Sequence, residues 1–490
     1  MRLRDQLRVR LMMSFETTTD LMPWQRAAVE KLKPTRVGGL FMEMGTGKTR
    51  TIIEIVKQRS HKIDRVVWFC PVSLKDTVRL EILKHTDCED IYQFDDKTTA
   101  ENMPDVRWVI IGLESLSSSN RVTFAVNSII TSKTFVIMDE SSYIKGHKAK
   151  RTERAIFLSD KAKYRFVLTG TPLSQGVEDL FSQMKFLSPK ILGYRSWYTF
   201  ARNHLEYSEK HPGLIVASHD TDQLAAKIAP YVYQVTKAEC MSLPGKKYQT
   251  KYCSLTNEQE YAYQMAKDKM LFEIDFADEF KPYTIFRLYG ALQQISSGFW
   301  NRRICERGQL DPDDKYEFLT FQDNRFGTLL DIIEEIPGND KIIIWAKFRY
   351  DINRIVSGLQ EKYGSESVAV FTGDTKIKDR QSEVDKFKTS ARFFVATQSC
   401  GGHGLTLNEA SHVIFYSNSF KYSERLQAED RCHRMGQDKE VNYINIISSG
   451  IDEKIWESLS KKENVAESFR HEVDTVKDDK AKLKDLVKLL

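Results

Sequence analysis

The sequence predicts an α/β protein of two lobes, each a mainly parallel sheet flanked by helices, with helical insertions between them. Three observations carry this. Short apolar runs alternate with helical stretches in both halves of the chain, the pattern of parallel strands covered on both faces. The 490 residues exceed what one hydrophobic core ordinarily absorbs, so two or more domains are expected. A Gly-Lys-Thr loop occurs in the first half alone, so the halves are not copies with equal roles.

In chain order, the arginine-rich start Met1–Arg10 reads as a frayed terminus rather than a basic arm. A helix opens at Leu21-Met22-Pro23-Trp24-Gln25, with Ala27, Ala28 and Leu32 expected on its inner face. Met42-Glu43-Met44-Gly45-Thr46-Gly47-Lys48-Thr49 then follows an apolar strand and precedes a helical pattern, and it reads as a phosphate-binding loop. Gly45 and Gly47 let backbone N–H groups close around phosphate oxygens, Lys48 reaches the β/γ-phosphates, and the Thr49 hydroxyl ligates Mg²⁺. The usual pattern starts with glycine, and Met42 stands there instead.

Strands are predicted at Asp64–Cys70, Arg107–Gly112, Thr134–Met138 and Tyr164–Leu168. In such sheets ligands bind at the carboxyl ends of the strands. The third of these strands ends in Asp139-Glu140. Taken alone this is either a polar strand end or an acid pair that divides the work of phosphoryl transfer: Asp139 holds Mg²⁺, and Glu140 orients and deprotonates the attacking water. The fourth strand ends in Leu168-Thr169-Gly170-Thr171-Pro172. The basic run Lys145–Arg154 reads first as a solvated face and second as a backbone contact to nucleic acid. Trp300-Asn301-Arg302-Arg303 reads first as packing between helices and second as a segment that stacks on and pairs with nucleic acid.

The second alternation begins at Lys341–Ala346 and continues at Ser367–Phe371, Arg392–Ala396 and His412–Tyr416. What the first half lacks is a cation for the γ-phosphate. Gln427-Ala428-Glu429-Asp430-Arg431-Cys432-His433-Arg434-Met435-Gly436-Gln437 offers Arg431 and Arg434, which share a face if the segment is helical. An arginine placed from outside the phosphate loop can contribute ~10³-fold or more to the rate.

The order of these motifs resembles superfamily II helicase-like ATPases, and specifically the Swi/Snf family. The resemblance covers roughly residues 20–465, and the spacing from Gln427 to Gln437 is its most specific part. Pro71-Val72-Ser73-Leu74 with Glu81, Leu113-Glu114-Ser115-Leu116, Gly401-Gly402-His403-Gly404-Leu405 and Phe371-Thr372-Gly373-Asp374 resemble further family motifs. The family's Asp-Glu-Ala-His is Asp-Glu-Ser-Ser here, its tryptophan is Val78, and an asparagine of the glycine loop is Thr406. The loop that begins without glycine is itself a family trait.

The resemblance implies two RecA-like lobes. Residues 14–257 form the first, with a helical protrusion at about 186–235; 258–325 form a helical insertion and linker; 326–465 form the second lobe, and 466–490 a C-terminal helix. It implies ATP with Mg²⁺, bound by Gln25 at the adenine, by Gly45, Thr46, Gly47, Lys48 and Thr49 at the phosphates, and by Gly404. Thr49 and Asp139 would hold the metal, with Lys48, Asp139, Glu140, Arg431, Arg434 and Gln437 as the catalytic set. Ser73, Lys75, Ser115, Lys347, Thr372 and Gly373 are the implied nucleic-acid contacts. The implied activity is translocation along double-stranded DNA by a monomeric engine, with nuclease, replication or recombination factors as targeting partners. A strand-separating helicase and a nucleotide-gated scaffold are the rival readings.

Composition sets outer bounds. A net charge of +5 permits a polyanionic partner without demanding one. No apolar run approaches the ~18 residues of a membrane span, and the start lacks the apolar region of a secretory signal, so an intracellular, DNA-associated protein is expected, in cytoplasm or nucleoid if the source is prokaryotic or viral. Seven scattered cysteines without a C-x-x-C pair suggest neither a disulfide framework nor a zinc site.

Overall fold

The computed structural model describes residues 15–170, 172, 176–207, 215–276, 283–304, 315–400, 405–461 and 479–490. The chain divides into two compact units between Ser242 and Leu243.

The first unit contains β1 (Val37–Met42), β2 (Arg65–Cys70), β3 (Ile91–Gln93), β4 (Trp108–Gly112), β5 (Thr134–Asp139), β6 (Tyr164–Thr169), a hairpin of β7 (Leu205–Tyr207) and β8 (Ile215–Ser218), and β9 (Val232–Val235). Its main sheet has seven strands in the order β3-β4-β2-β5-β6-β1-β9, all parallel. Both faces are apolar because both are covered. Along β2, Val66, Trp68 and Cys70 join a core with helices Pro23–Leu32, Lys48–Lys57 and Lys75–His85. Val67 and Phe69 point the other way, into a core with Asn120–Ile129, Lys150–Ser159 and Glu178–Leu187. Burying one such Val or Phe side chain contributes about 1.5–3 kcal/mol.

The second unit opens with β10 (Lys246–Tyr252), followed by a hairpin of β11 (Phe299–Ile304) and β12 (Lys315–Thr320), then β13 (Lys341–Ala346), β14 (Val368–Phe371), β15 (Phe393–Thr397), β16 (Ala410–Phe415) and β17 (Val441–Ile447). Six of these form a parallel sheet in the order β10-β17-β16-β13-β15-β14. Ile343 and Trp345 of β13 face one core, Ile342 and Ile344 the other. A third cluster unites Asn257–Phe276, Tyr283–Ser296, Gly450–Ser460 and Lys480–Lys488, with Trp300 buried among them.

The two parallel-sheet lobes are those expected, and the predicted strands stand within about a residue or two of the observed ones. Four local expectations change. The first lobe does not extend to 257: β10 pairs in register with β17, so 243–257 belongs to the second unit. The stretch 186–235 is not only helical, since it holds the β7–β8 hairpin and ends in β9, the edge strand beside β1. The insertion 258–325 contains the β11–β12 hairpin, so Trp300 packs against helices from a strand. On the first helix Ala27 is exposed, and Gln25, Ala28, Val29 and Leu32 form the inner face. Leu483, Leu486, Val487 and Leu490 at the C-terminal end are core residues. Among the described residues, no helix is long and apolar enough to cross a membrane, and the described cysteines are unpaired.

Candidate active site

The phosphate-loop candidate leaves β1 and turns into helix Lys48–Lys57 with Gly45 at φ 81° and Gly47 at φ 84°. These left-handed conformations cost a side chain about 1–2 kcal/mol and glycine almost nothing. The turn is pinned from several sides. Thr46 donates through N and Oγ1 to Glu43 O at 3.3 and 2.7 Å. Glu43 N donates to Val235 O at 3.0 Å, and Lys237 N donates to Glu43 Oε2 at 2.7 Å. The loop is thus moored to the edge strand that sequence reading placed in the helical protrusion. Trp24 Nε1 donates to Thr46 O at 2.8 Å. Gln25 lies buried against the loop, donating to Thr46 O and Gly47 O at 3.4 and 3.3 Å and accepting from Met22 N at 2.9 Å. Lys48 Nζ donates to Met42 O at 3.0 Å, and a Cβ on Gly170 would lie 3.6 Å from that ammonium. Thr49 is half-buried in the first helical turn.

Asp139, the last residue of β5, is 7% exposed and accepts from Trp68 Nε1 at 3.3 Å and Glu140 N at 3.0 Å. Burial, then the charge of Glu140, pushes its carboxyl up to about 7, against the pull of Lys48. The loop lysine and the acid pair therefore lie within electrostatic reach of each other. Asp139 and the Thr49 hydroxyl would offer oxygen donors of the kind Mg²⁺ takes. Glu140 sits at φ 48°, ψ 57°, a left-handed conformation that costs a non-glycine residue about 1–3 kcal/mol. The turn after it is held by Ser141 Oγ, which donates to Gln183 Oε1 at 2.6 Å, while Gln183 Nε2 donates to Pro172 O at 2.9 Å. Gln183 thus ties the acid pair to the turn after β6. Sequence reading overlooked it, although a glutamine on the apolar face of Glu178–Leu187 was a usable signal.

Ser73 lies in the 3₁₀ turn Val72–Leu74 after β2, and Ser115 opens the short helix Ser115–Ser118 after the neighbouring strand β4. Those segments touch: Val72 N donates to Glu114 Oε2 at 2.9 Å, and a Cβ on Gly112 would meet Val72 Cγ2 at 2.4 Å. Lys75 Nζ donates to Phe94 O at 2.7 Å.

In the second unit, Arg431 and Arg434 are not on a helix. The helix Tyr422–Glu429 stops first, and both arginines lie in the turn that follows. The turn nevertheless brings them together, since Arg434 Nη1 and Arg431 Nη1 donate to the same carbonyl, Leu405 O, at 2.9 and 3.5 Å. Gln437 spends its amide on that turn, donating to Ala410 O at 2.8 Å and Asn408 O at 3.1 Å while Oε1 accepts from Lys439 N at 3.0 Å. Gly404 lies outside the described residues. Lys347 is also committed internally: Nζ donates to Gln293 Oε1 at 2.5 Å and lies 3.6 Å from the Phe420 ring centre, and burial pulls its pKa down to about 8. Thr372 and Gly373 form an open turn after β14, with nothing within 4 Å of a Cβ on Gly373.

A model of the SNF2-related domain matches residues 8–298, and one of the helicase conserved C-terminal domain matches 324–436. The chain is 27% identical over 353 residues to the DNA excision repair protein ERCC-6 of Mus musculus, covering 66% of this chain and 22% of that one. It is 23% identical over 446 residues to a probable global transactivator of Orgyia pseudotsugata multicapsid polyhedrosis virus, covering 86% and 84%. With the putative ATP-dependent helicase/translocase YwqA of Bacillus subtilis it shares 25% identity over 343 residues, 67% of this chain and 35% of that one. Among solved structures, the Sulfolobus solfataricus SWI2/SNF2 ATPase core in complex with dsDNA aligns at 24% identity over 96% of each chain, with a TM-score of 0.42. Since the SNF2-related model alone spans more than half of its length, the chain belongs to the SNF2-related family of helicase-like ATPases.

Proposed function

We propose that this chain is an ATP-dependent translocase on double-stranded DNA, which hydrolyses ATP to move along the duplex and remodel DNA or protein–DNA complexes. The observation that supports it most is the grouping at the carboxyl edge of the first sheet: a glycine loop with Lys48, and an acid pair whose buried member feels Lys48. The family relationship supports the same reading.

In this proposal Lys48 and the loop N–H groups bind the phosphates, and Thr49 and Asp139 hold Mg²⁺, which when bound neutralises phosphate charge. Glu140, its backbone already fixed by Asp139 and the Ser141–Gln183 bond, takes the proton of the attacking water. Arg431 and Arg434 are the proposed guanidinium members of the catalytic set. The two long bonds of Gln25 to the loop carbonyls are those an adenine edge would replace. Ser73, Ser115, Thr372 and Gly373 are proposed phosphate contacts, so duplex binding should be salt-sensitive and largely independent of sequence.

The test compares ATP turnover with duplex, forked and single-stranded DNA, in the parent and in Glu140→Gln. Duplex stimulation in the parent, with turnover lost but ATP binding kept in the variant, is the expected result. Stimulation by single strands alone would overturn it in favour of a strand-separating helicase, and full biological activity of the variant would favour a nucleotide-gated scaffold.

A further inference from the structure

The segment that carries the two arginines is bonded at two places, Glu429 and His433, to β10 and the residue just ahead of it, and β10 is the first strand the chain makes after Ser242. Before the arginines, Glu429 ends the helix Tyr422–Glu429, and its Oε2 accepts from Tyr248 Oη at 2.7 Å and Lys246 Nζ at 3.3 Å, both on β10. Between the arginines, His433 Nε2 lies 2.8 Å from Pro244 O, just ahead of β10. A carbonyl can only accept, so this nitrogen carries the proton and donates. The strand is fixed in turn by its register with β17 and by the stacking of Tyr248 on Tyr443 at 5.2 Å.

This is more than the turn needs for burial. Charged groups taken out of water are costly, and an apolar contact of similar volume is often as stabilising. What directional bonds add is orientation, and a misplacement of about 1 Å at a catalytic group can cost ~10²-fold in rate.

We propose that Pro244 and β10 form a clamp that sets the aim of Arg431 and Arg434, with His433 and Tyr248 as its positioning residues. The inference rests on the proposed role of the two arginines in ATP hydrolysis. It assigns a task to His433, which touches neither reacting atoms nor substrate in that scheme, and it places the control of the arginines at the point where the chain begins its second unit.

The test uses the full chain with His433→Leu, which removes the donor, His433→Gln, whose amide N–H can reach the same carbonyl, and Tyr248→Phe. His433→Leu should lower the duplex-stimulated kcat about 10- to 100-fold with the KM for ATP within about threefold, and His433→Gln should recover most of the loss. Tyr248→Phe should fall between them, because Lys246 still holds Glu429. A second readout is native-state cleavage by trypsin after Arg431 and Arg434, mapped by mass. It should rise about tenfold in His433→Leu relative to the parent and to His433→Gln, with other sites unchanged. Unchanged kcat and unchanged cleavage in His433→Leu would overturn the clamp, as would equal impairment of the leucine and glutamine variants. A rise in cleavage at all sites would show general unfolding and also count against it. The cleavage arm needs no ATP turnover, so absence of turnover in the parent would refute the proposed function alone.

Discussion

Replacing Gly47 with alanine asks whether the phosphate loop and Gln25 behave as one mechanical unit. Two costs can be worked from the structure. Gly47 sits at φ 84°, where a Cβ costs about 1–2 kcal/mol. That Cβ would also lie 2.0 Å from Gln25 Nε2, so the amide must move. Gln25 is 4% exposed and hydrogen-bonded at both ends of its amide, so it cannot simply swing into solvent. Losing the 2.9 Å bond from Met22 N and weakening the two longer ones costs about 1 kcal/mol or slightly more. Reduced freedom of the unfolded chain returns roughly 0.4–1 kcal/mol. Gly47→Ala should therefore destabilise the first unit by about 1–2.5 kcal/mol, and Gln25→Ala alone by about 1–2 kcal/mol. In the double variant the clash is gone and only the backbone strain remains. The two effects should fall short of additivity by about 1 kcal/mol, measured by urea unfolding of all four proteins. Additivity within about 0.3 kcal/mol would refute the reasoning, because it would mean that alanine at 47 is accommodated without displacing Gln25.

Three further outcomes are expected. Gly112→Ala drives a Cβ into Val72 Cγ2, so it should cost about 1–3 kcal/mol and weaken duplex stimulation more than basal turnover; Val72→Ala in the same protein should restore both, as seen by thermal melts and ATPase assays. Asp351 is buried, which pushes its carboxyl up to about 7, with Asp452 adding to the rise and Ser417, Arg325 and Ser297 opposing it. Its folded pKa lies above its unfolded value, so the native state holds the proton more tightly and stability should fall as pH rises from about 4 to 7, by up to about 4 kcal/mol, while Asp351→Asn should flatten that slope in urea titrations. Arg434→Ala should lower kcat by ~10³-fold with ATP affinity nearly unchanged, and an unchanged kcat would remove this arginine from the hydrolytic set.

The local geometry of the candidate site was legible in sequence where it depends on a few adjacent residues: a glycine loop between strand and helix, and two acids at a strand end. Helical spacing misled at Arg431 and Arg434, since the helix ends at Glu429 and a turn brings both arginines onto Leu405 O instead. Folding also gives Lys75 and Lys347, read in sequence as nucleic-acid contacts, hydrogen-bond partners from other segments, Phe94 O and Gln293 Oε1.

The sequence by itself determined two parallel-sheet lobes and the glycine loop between β1 and its helix, because apolar runs covered on both faces and glycine-dependent turns leave short-range signatures. Tertiary structure decided what depends on distant partners. It placed β9 beside β1 and moored the loop through Val235. It set Gln183 between the acid pair and the turn after β6, and moved β10 into the second sheet, where it meets Glu429 and His433. These contacts join residues that are far apart in the chain, and side-chain hydrogen bonds of that kind have no periodicity by which a sequence can announce them.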